Sequence, residues 1–242
     1  MPRGLLLCAC VLMAGCSATQ NVVLKADGSG TLTMHMEVSR LLHDYIASLA
    51  EVSGDTPALP PGQIFDLAAI RKGFAAQPGI TVQKIASADP RSLDIQVAFD
   101  SLQNVFAGRP GLQNADVVSL TQADGLETLK IHLDRSNYRQ VSGFFPMLDN
   151  PVLQSLGPQV GQETTENDYL EEVRFSLGDD GPAEVRKSSI VITVQPEGEI
   201  VSQAGGTVNG GSVVFKVPLL RLLVLAPPLD FSMSFKPQEK QQ

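Results

Sequence analysis

Val22-Val23-Leu24-Lys25-Ala26, Asp27-Gly28-Ser29-Gly30 and Thr31-Leu32-Thr33-Met34-His35-Met36-Glu37-Val38 read in succession as strand, turn and strand. An Asp-Gly turn between apolar runs is a strong hairpin signal, because glycine adopts the positive φ that tight turns need. The second run alternates strictly. Leu32, Met34, Met36 and Val38 share one face, and Thr33, His35 and Glu37 share the other. A strand with one apolar and one polar face fits an antiparallel sheet covered on one side. Ser39 then supplies an N-cap, and Leu41, Leu42, Tyr45, Ile46 and Leu49 fall at helical spacing through Val52.

The same order recurs downstream. Residues 80–86, the turn at Asp89-Pro90 and residues 93–99 precede a short helix from Asp100 or Ser101 through Phe106. Residues 117–122, the turn at Asp124-Gly125 and residues 126–133 precede a helix from about Ser136 that carries Tyr138, Val141, Phe144 and Phe145. A looser fourth copy runs through 190–194, 200–203, the Asn209-Gly210 turn, 213–217 and 219–225, and residues 229–235 read as a last strand. Further helices are predicted at 64–76 and 166–177, with loops at 53–62 and 146–165. The fold class is therefore α+β: an antiparallel sheet of repeated β-hairpin-helix units with helices on one face. Residues 21–178 form the repeated region. Asp179-Asp180-Gly181-Pro182 opens a strand-rich region, 179–242, within the same domain.

Ahead of the hairpin lies a compressed export signal: Arg3, an apolar run from Leu5 to Met13, and the small pair Ala14-Gly15. The run is about ten residues, too short to span a bilayer, which takes roughly 20. Met13-Ala14-Gly15-Cys16 resembles the lipobox of bacterial lipoproteins, with Met13 where leucine is usual. That resemblance implies cleavage after residue 15, acylation of the Cys16 thiol and residues 16–20 as the acylated N-terminus and tether. Several acyl chains, at about 0.8 kcal/mol per buried methylene, make such an anchor effectively permanent. Ser17 stands where an aspartate would signal retention, which favours the outer over the inner membrane of a bacterial envelope.

Composition narrows the function classes. The net charge is −8 and becomes more negative when Arg3 leaves, which repels nucleic acid and anionic head groups. Cys8 and Cys10 leave with the signal, so the mature chain keeps neither a free thiol nor a cysteine metal site. The chain has no tryptophan and three tyrosines, which disfavours ligand platforms built on aromatic stacking.

His35 and His132 occupy matching positions, each four residues before a helix cap, Ser39 or Ser136, and are the candidate catalytic residues. Side-by-side hairpins would set both on one surface, where neutral imidazoles can bind a metal or share protons. A third ligand is lacking, so no metal is expected. His43-Asp44 cannot form a catalytic dyad, since adjacent helical residues point about 100° apart. No G-x-S-x-G elbow occurs, and the Asp27-Gly28-Ser29-Gly30 loop lacks the ligands of a calcium-binding EF-hand. The run 213–229 is interrupted by Lys216, Pro218 and Arg221 and cannot span a membrane. Its leucines Leu219, Leu220 and Leu223, with Met34, Met36, Phe144 and Phe145, are the candidate lining of an apolar ligand cavity.

The signal followed by residues 22–32 resembles the start of LppM-like and spirochaetal envelope lipoproteins, which open with a hairpin around a D-G-S or D-G-T turn. The resemblance implies an envelope lipoprotein with an α+β ectodomain and carries no catalytic residue. The expected function is a membrane-anchored lipoprotein binding a lipid or other apolar ligand, without a cofactor. The alternatives are a membrane-proximal, phospholipase-like hydrolase, with calcium in that case, and a structural or adhesive surface protein. Exposed sheet edges would favour a homodimer.

Overall fold

The computed structural model describes residues 17–53, 62–102, 117–138, 157–158 and 164–238. The opening hairpin is longer than its apolar residues imply. Strand β1 spans Ser17–Leu24 and β2 spans Gly30–Glu37, in register from Ser17 opposite Glu37 to Leu24 opposite Gly30. Residues 17–20, expected as a tether, are thus the first half of a strand. Ser17 and Thr19 lie on the sheet's polar face, while Ala18 is buried opposite Met36.

The turn is held by Asp27 Oδ1, which accepts from the Ser29 amide at 3.0 Å and the Ser29 hydroxyl at 2.6 Å, with Gly28 at φ 80°. Ser39 caps α1 (Arg40–Ser53), its hydroxyl accepting from the Leu42 amide. Asp66 caps α2 (Leu67–Ala75) in the same way, three residues inside the expected start. The remaining elements are β3 (Ile80–Ala86), β4 (Ser92–Phe99), β5 (Val118–Ala123), β6 (Leu126–Leu133), α3 (Glu166–Leu177), α4 (Gly181–Lys187), β7 (Ser189–Pro196), β8 (Gly198–Ala204), β9 (Thr207–Asn209), β10 (Ser212–Pro218), α5 (Leu219–Val224) and β11 (Leu229–Pro237).

The strands make two sheets, not one. The larger has the order β3-β4-β2-β1-β7-β10-β9 and the smaller β5-β6-β11-β8. All pairings are antiparallel except β1 with β7, which runs parallel. Only Glu197 separates β7 from β8, so the chain crosses from one sheet to the other there. The fold is α+β and predominantly antiparallel, but the hairpins are not equivalent units. The first two lie in the larger sheet and the third in the smaller. The helices expected from Asp100 or Ser101 through Phe106 and from about Ser136, with Phe144 and Phe145, lie outside the described residues beyond Leu102 and Tyr138.

One face of the larger sheet is covered twice. Over β3, β4 and β2, Phe65 just before α2 and Ile70 and Phe74 of the helix pack on Met34, Ile85, Leu93 and Ile95. Farther along, the smaller sheet packs Leu120, Leu129, Met233 and Phe235 on Leu24, Val194, Val213 and Phe215. Phe215, Phe235, Met233 and Val213 are essentially inaccessible, so the sandwich interior is filled. The expected cover of helices on one face is therefore α2 plus a second sheet.

Topology puts most of the remaining helices at one end. Ser17, Glu37, Ser92, Ser189 and Pro218 are register partners of one another at that end of the larger sheet. There α3, α4 and α5 bury Tyr169, Leu170, Val173, Val185, Leu220 and Val224 against one another. The Leu219 amide donates to the Ser188 carbonyl at 3.0 Å, tying α5 to the start of β7. The helix expected at 166–177 does end before Asp179-Asp180-Gly181-Pro182, and Gly181-Pro182 then begins α4, because proline is tolerated in a first turn.

Thr165 and Asp168 form a reciprocal capping box at the start of α3. Thr165→Ala is expected to lower stability by about 1 kcal/mol in urea unfolding, with the slope unchanged.

Candidate functional site

Both candidate histidines sit on polar strand faces, as alternation requires, but on different sheets. His35 is on β2 and faces away from the shared core; His132 is on β6 and faces away from it on the other side. The two sheets pack by their apolar faces, so their polar faces look in opposite directions. The histidines therefore do not line one surface.

Each is instead paired with the aspartate directly opposite on the neighbouring strand. His35 Nδ1 is 2.8 Å from Asp94 Oδ1 on β4, and Lys84 Nζ on β3 donates to Asp94 Oδ2 at 3.3 Å. The His35 hydrogen bond first, and then Lys84, hold the Asp94 carboxyl below its usual pKa. His132 Nδ1 is 2.6 Å from Asp230 Oδ1 on β11, and Nε2 is 3.4 Å from Asp134 Oδ2. With a carboxylate at each nitrogen, and Asp230 the stronger partner, the His132 pKa is raised above its ordinary value.

A raised folded-state pKa contributes stability below the unfolded value near 6.5 that is lost as pH rises through the folded value. His132 is 39% exposed, so the contribution is small, well under about 1 kcal/mol. In an NMR titration the His132 midpoint is expected above that of a model peptide, and Asp230→Asn moves it back down. No movement in the variant would contradict the pairing.

Asp134 also organises the turn after β6. Its Oδ1 accepts from the Ser136 amide and hydroxyl and the Asn137 amide, and its carboxyl is held low, chiefly by the Ser136 hydroxyl. Arg135 beside it donates to the Val224 carbonyl at 3.0 Å and the Thr164 carbonyl at 3.1 Å. It thus joins β6 to the end of α5 and the start of α3.

His43 is held through both ring nitrogens. Its Nδ1 lies 3.0 Å from Asp44 Oδ1, although adjacent helical side chains diverge, because both reach round the same turn. Its Nε2 meets the Gly62 carbonyl at 2.7 Å, so both nitrogens are engaged in holding α1 to the segment before α2.

The imidazole side-chain contacts of His35, His43 and His132 go to carboxylates and, for His43, a carbonyl. Among the described residues, no group of three His, Cys, Asp or Glu side chains is placed to hold a metal. No helix among them is long and apolar enough to cross a membrane.

The apolar candidates fall into separate clusters. Met34, 1% exposed, and the half-buried Met36 pack under α2, whereas Leu220 and Leu223 pack with α3 and α4. Leu219 begins α5 and is half-buried. A cleft of about 520 Å³ lies between α1 and α4, lined by Arg40, Leu41, Asp44, Asp180, Glu184 and Lys187. It is charged, and two of its ion pairs, Arg40 with Asp44 and Lys187 with Glu184, close on themselves.

Sequence reading missed Asp230, since nothing local marks the register of β6 against β11. It also missed Phe175 of α3, 94% exposed on the side opposite the buried Tyr169, Leu170 and Val173.

No protein-family model matches the chain, and no curated protein does. Among solved structures it is similar to the folded domain of the Mycobacterium tuberculosis LppM protein determined by NMR. The match has 13% identity and a TM-score of 0.40, and covers 93% of this chain and 91% of that one.

Proposed function

We propose that the chain is a bacterial envelope lipoprotein, anchored by acyl chains on Cys16, whose ectodomain engages a lipid or other apolar ligand beside the bilayer. The observation that carries the anchoring is positional. Met13-Ala14-Gly15-Cys16 directly precedes Ser17, so cleavage before Cys16 keeps Ser17–Leu24 and its pairing with β2 and β7. A cut that removed a strand from the centre of the larger sheet would be incompatible with the fold. Sorting to the outer membrane follows from Ser17 in the position after the acylated cysteine.

Support for the ligand comes from α5, whose Leu219 and Leu223 are only partly buried. A ligand there would lie against helices at the end of the sheets, not in the sandwich interior. The hydrolase alternative has His35 and His132 as its candidates, and no further observation favours it.

Fractionation of cells carrying the wild type and Cys16→Ala tests the anchor. Cys16→Ala is expected to raise the soluble fraction at least about tenfold, since the removed acyl chains supply the membrane affinity. Organic extraction of the purified variant, followed by mass spectrometry, is expected to release a stoichiometric lipid. Its absence would overturn the ligand while leaving the anchor standing.

A further inference from the structure

We infer that the helical layer formed by α1, α3, α4 and α5 is the membrane-facing surface, and that Phe175 enters the lipid interface. The inference rests on acylation of Cys16 as proposed above.

Its first support is the length of chain between anchor and fold. Ser17 is already paired with Glu37 and Ser189, so the only link from Cys16 to a central strand is one peptide unit, about 3.8 Å between Cα atoms. A long tether would let the domain drift from the bilayer, whereas an anchor one residue from the paired Ser17 would not. The Ser17 end of the larger sheet must stay near the head groups.

The second support is what the topology gathers at that end. α1 leaves from β2 just beyond Glu37, α4 leads into β7 at Ser189, and α5 follows β10 at Pro218. α3 is packed on α4 and α5. Along α1, Leu41, Leu42, Tyr45 and Ile46 are each only partly buried. Of the large apolar side chains that are clearly exposed, Phe175 is by far the most so, at 94%, and it belongs to this layer. Val208 is 51% exposed but belongs to the far end. It pairs with Val213, which pairs with Val194 of β7, whose partner in β1 is Val22, near the end of that strand away from Ser17.

An isolated exposed apolar side chain needs no explanation by itself. A fully exposed phenylalanine held at the acylated end is different, because burying it in the interface recovers the free energy that its exposure costs. The layer is net acidic, which disfavours anionic lipid: α3 carries Glu166, Asp168, Glu171 and Glu172 against Arg174, and Asp179, Asp180 and Glu184 stand beside Arg186 and Lys187. Its contact is thus apolar, and zwitterionic lipid is the suitable partner.

The chain contains no tryptophan, which makes a single indole an unambiguous reporter. Full-length Phe175→Trp and Val208→Trp are expressed, their Cys16 acylation is verified by mass, and each is reconstituted into phosphatidylcholine vesicles with and without lipids brominated near the head group. Phe175→Trp is expected to show a blue-shifted emission quenched about twofold by the brominated lipid, as for a side chain within several ångströms of the acyl boundary. Val208→Trp is expected to keep its emission in both vesicles. Equal quenching at both positions, or none at Trp in place of Phe175 in acylated protein, overturns the orientation but leaves the anchor intact. A mass without acyl groups overturns the anchor, and the orientation with it.

Discussion

Phe235→Ala lowers the unfolding free energy by about 3–5 kcal/mol. Phe235 lies on β11 with its side chain inaccessible, opposite Glu127 of β6 and Ile200 of β8, in the cluster where both sheets meet. Removing the ring deletes contacts to both sheets at once, and the flanking strands are hydrogen-bonded on each side, so the void cannot close. Val208→Ala, at an exposed edge position, is expected to change stability by less than about 0.5 kcal/mol. Denaturant unfolding of both variants checks the contrast. A cost for Phe235→Ala close to that of Val208→Ala would mean that the sheets do not share a core.

The second large effect comes from adding one methyl group. A Cβ at Gly30 would collide with the Val23 carbonyl oxygen and lie 2.6 Å from Phe99 Cζ. The obstacle on one side is backbone of the paired strand β1, which cannot rotate away. Gly30→Ala is therefore expected to destabilise by about 3 kcal/mol or more, at the upper end of overpacking. Gly211→Ala meets nothing within 4 Å and is the matched control, expected within about 0.5 kcal/mol of wild type. Equal melting temperatures for the two variants would contradict the packing of the first hairpin against β4.

Much of the local structure was legible, because it is encoded by local rules. Alternation from Thr31 to Val38 and from Leu126 to Leu133 marks strands with one buried face. Thr165 and Asp168 mark the start of α3. Asp27-Gly28 and Asp124-Gly125 mark turns, with positive φ at Gly28, Asp124 and Gly125. The missing parts are non-local. No residue near Ser17 announces that it will lie beside Ser189 in a parallel pair. Glu197-Gly198 looks like an ordinary turn, yet it carries the chain between sheets, and Gly198 is required because a Cβ there would strike the Lys236 carbonyl. For the same reason the two histidines could be assigned to polar faces but not to opposite sides of a sandwich. Their aspartate partners were hidden too, because register decides who stands across from whom.

The candidate site was legible in the same uneven way. Cys16 stands out by its immediate neighbours, whereas the significance of its spacing to the fold emerges only with β1 beginning at Ser17. Acylation at Cys16, as proposed, would place the anchor one residue from Ser17 and so bring that end of the larger sheet near the membrane.

The most direct test is the mass of the N-terminal tryptic peptide from protein purified out of membranes. The account predicts a peptide that begins at Cys16, ends at Lys25 and carries the added mass of a diacylglyceryl group. A peptide from an uncut N-terminus, or one containing Cys16 as a free thiol, would contradict it.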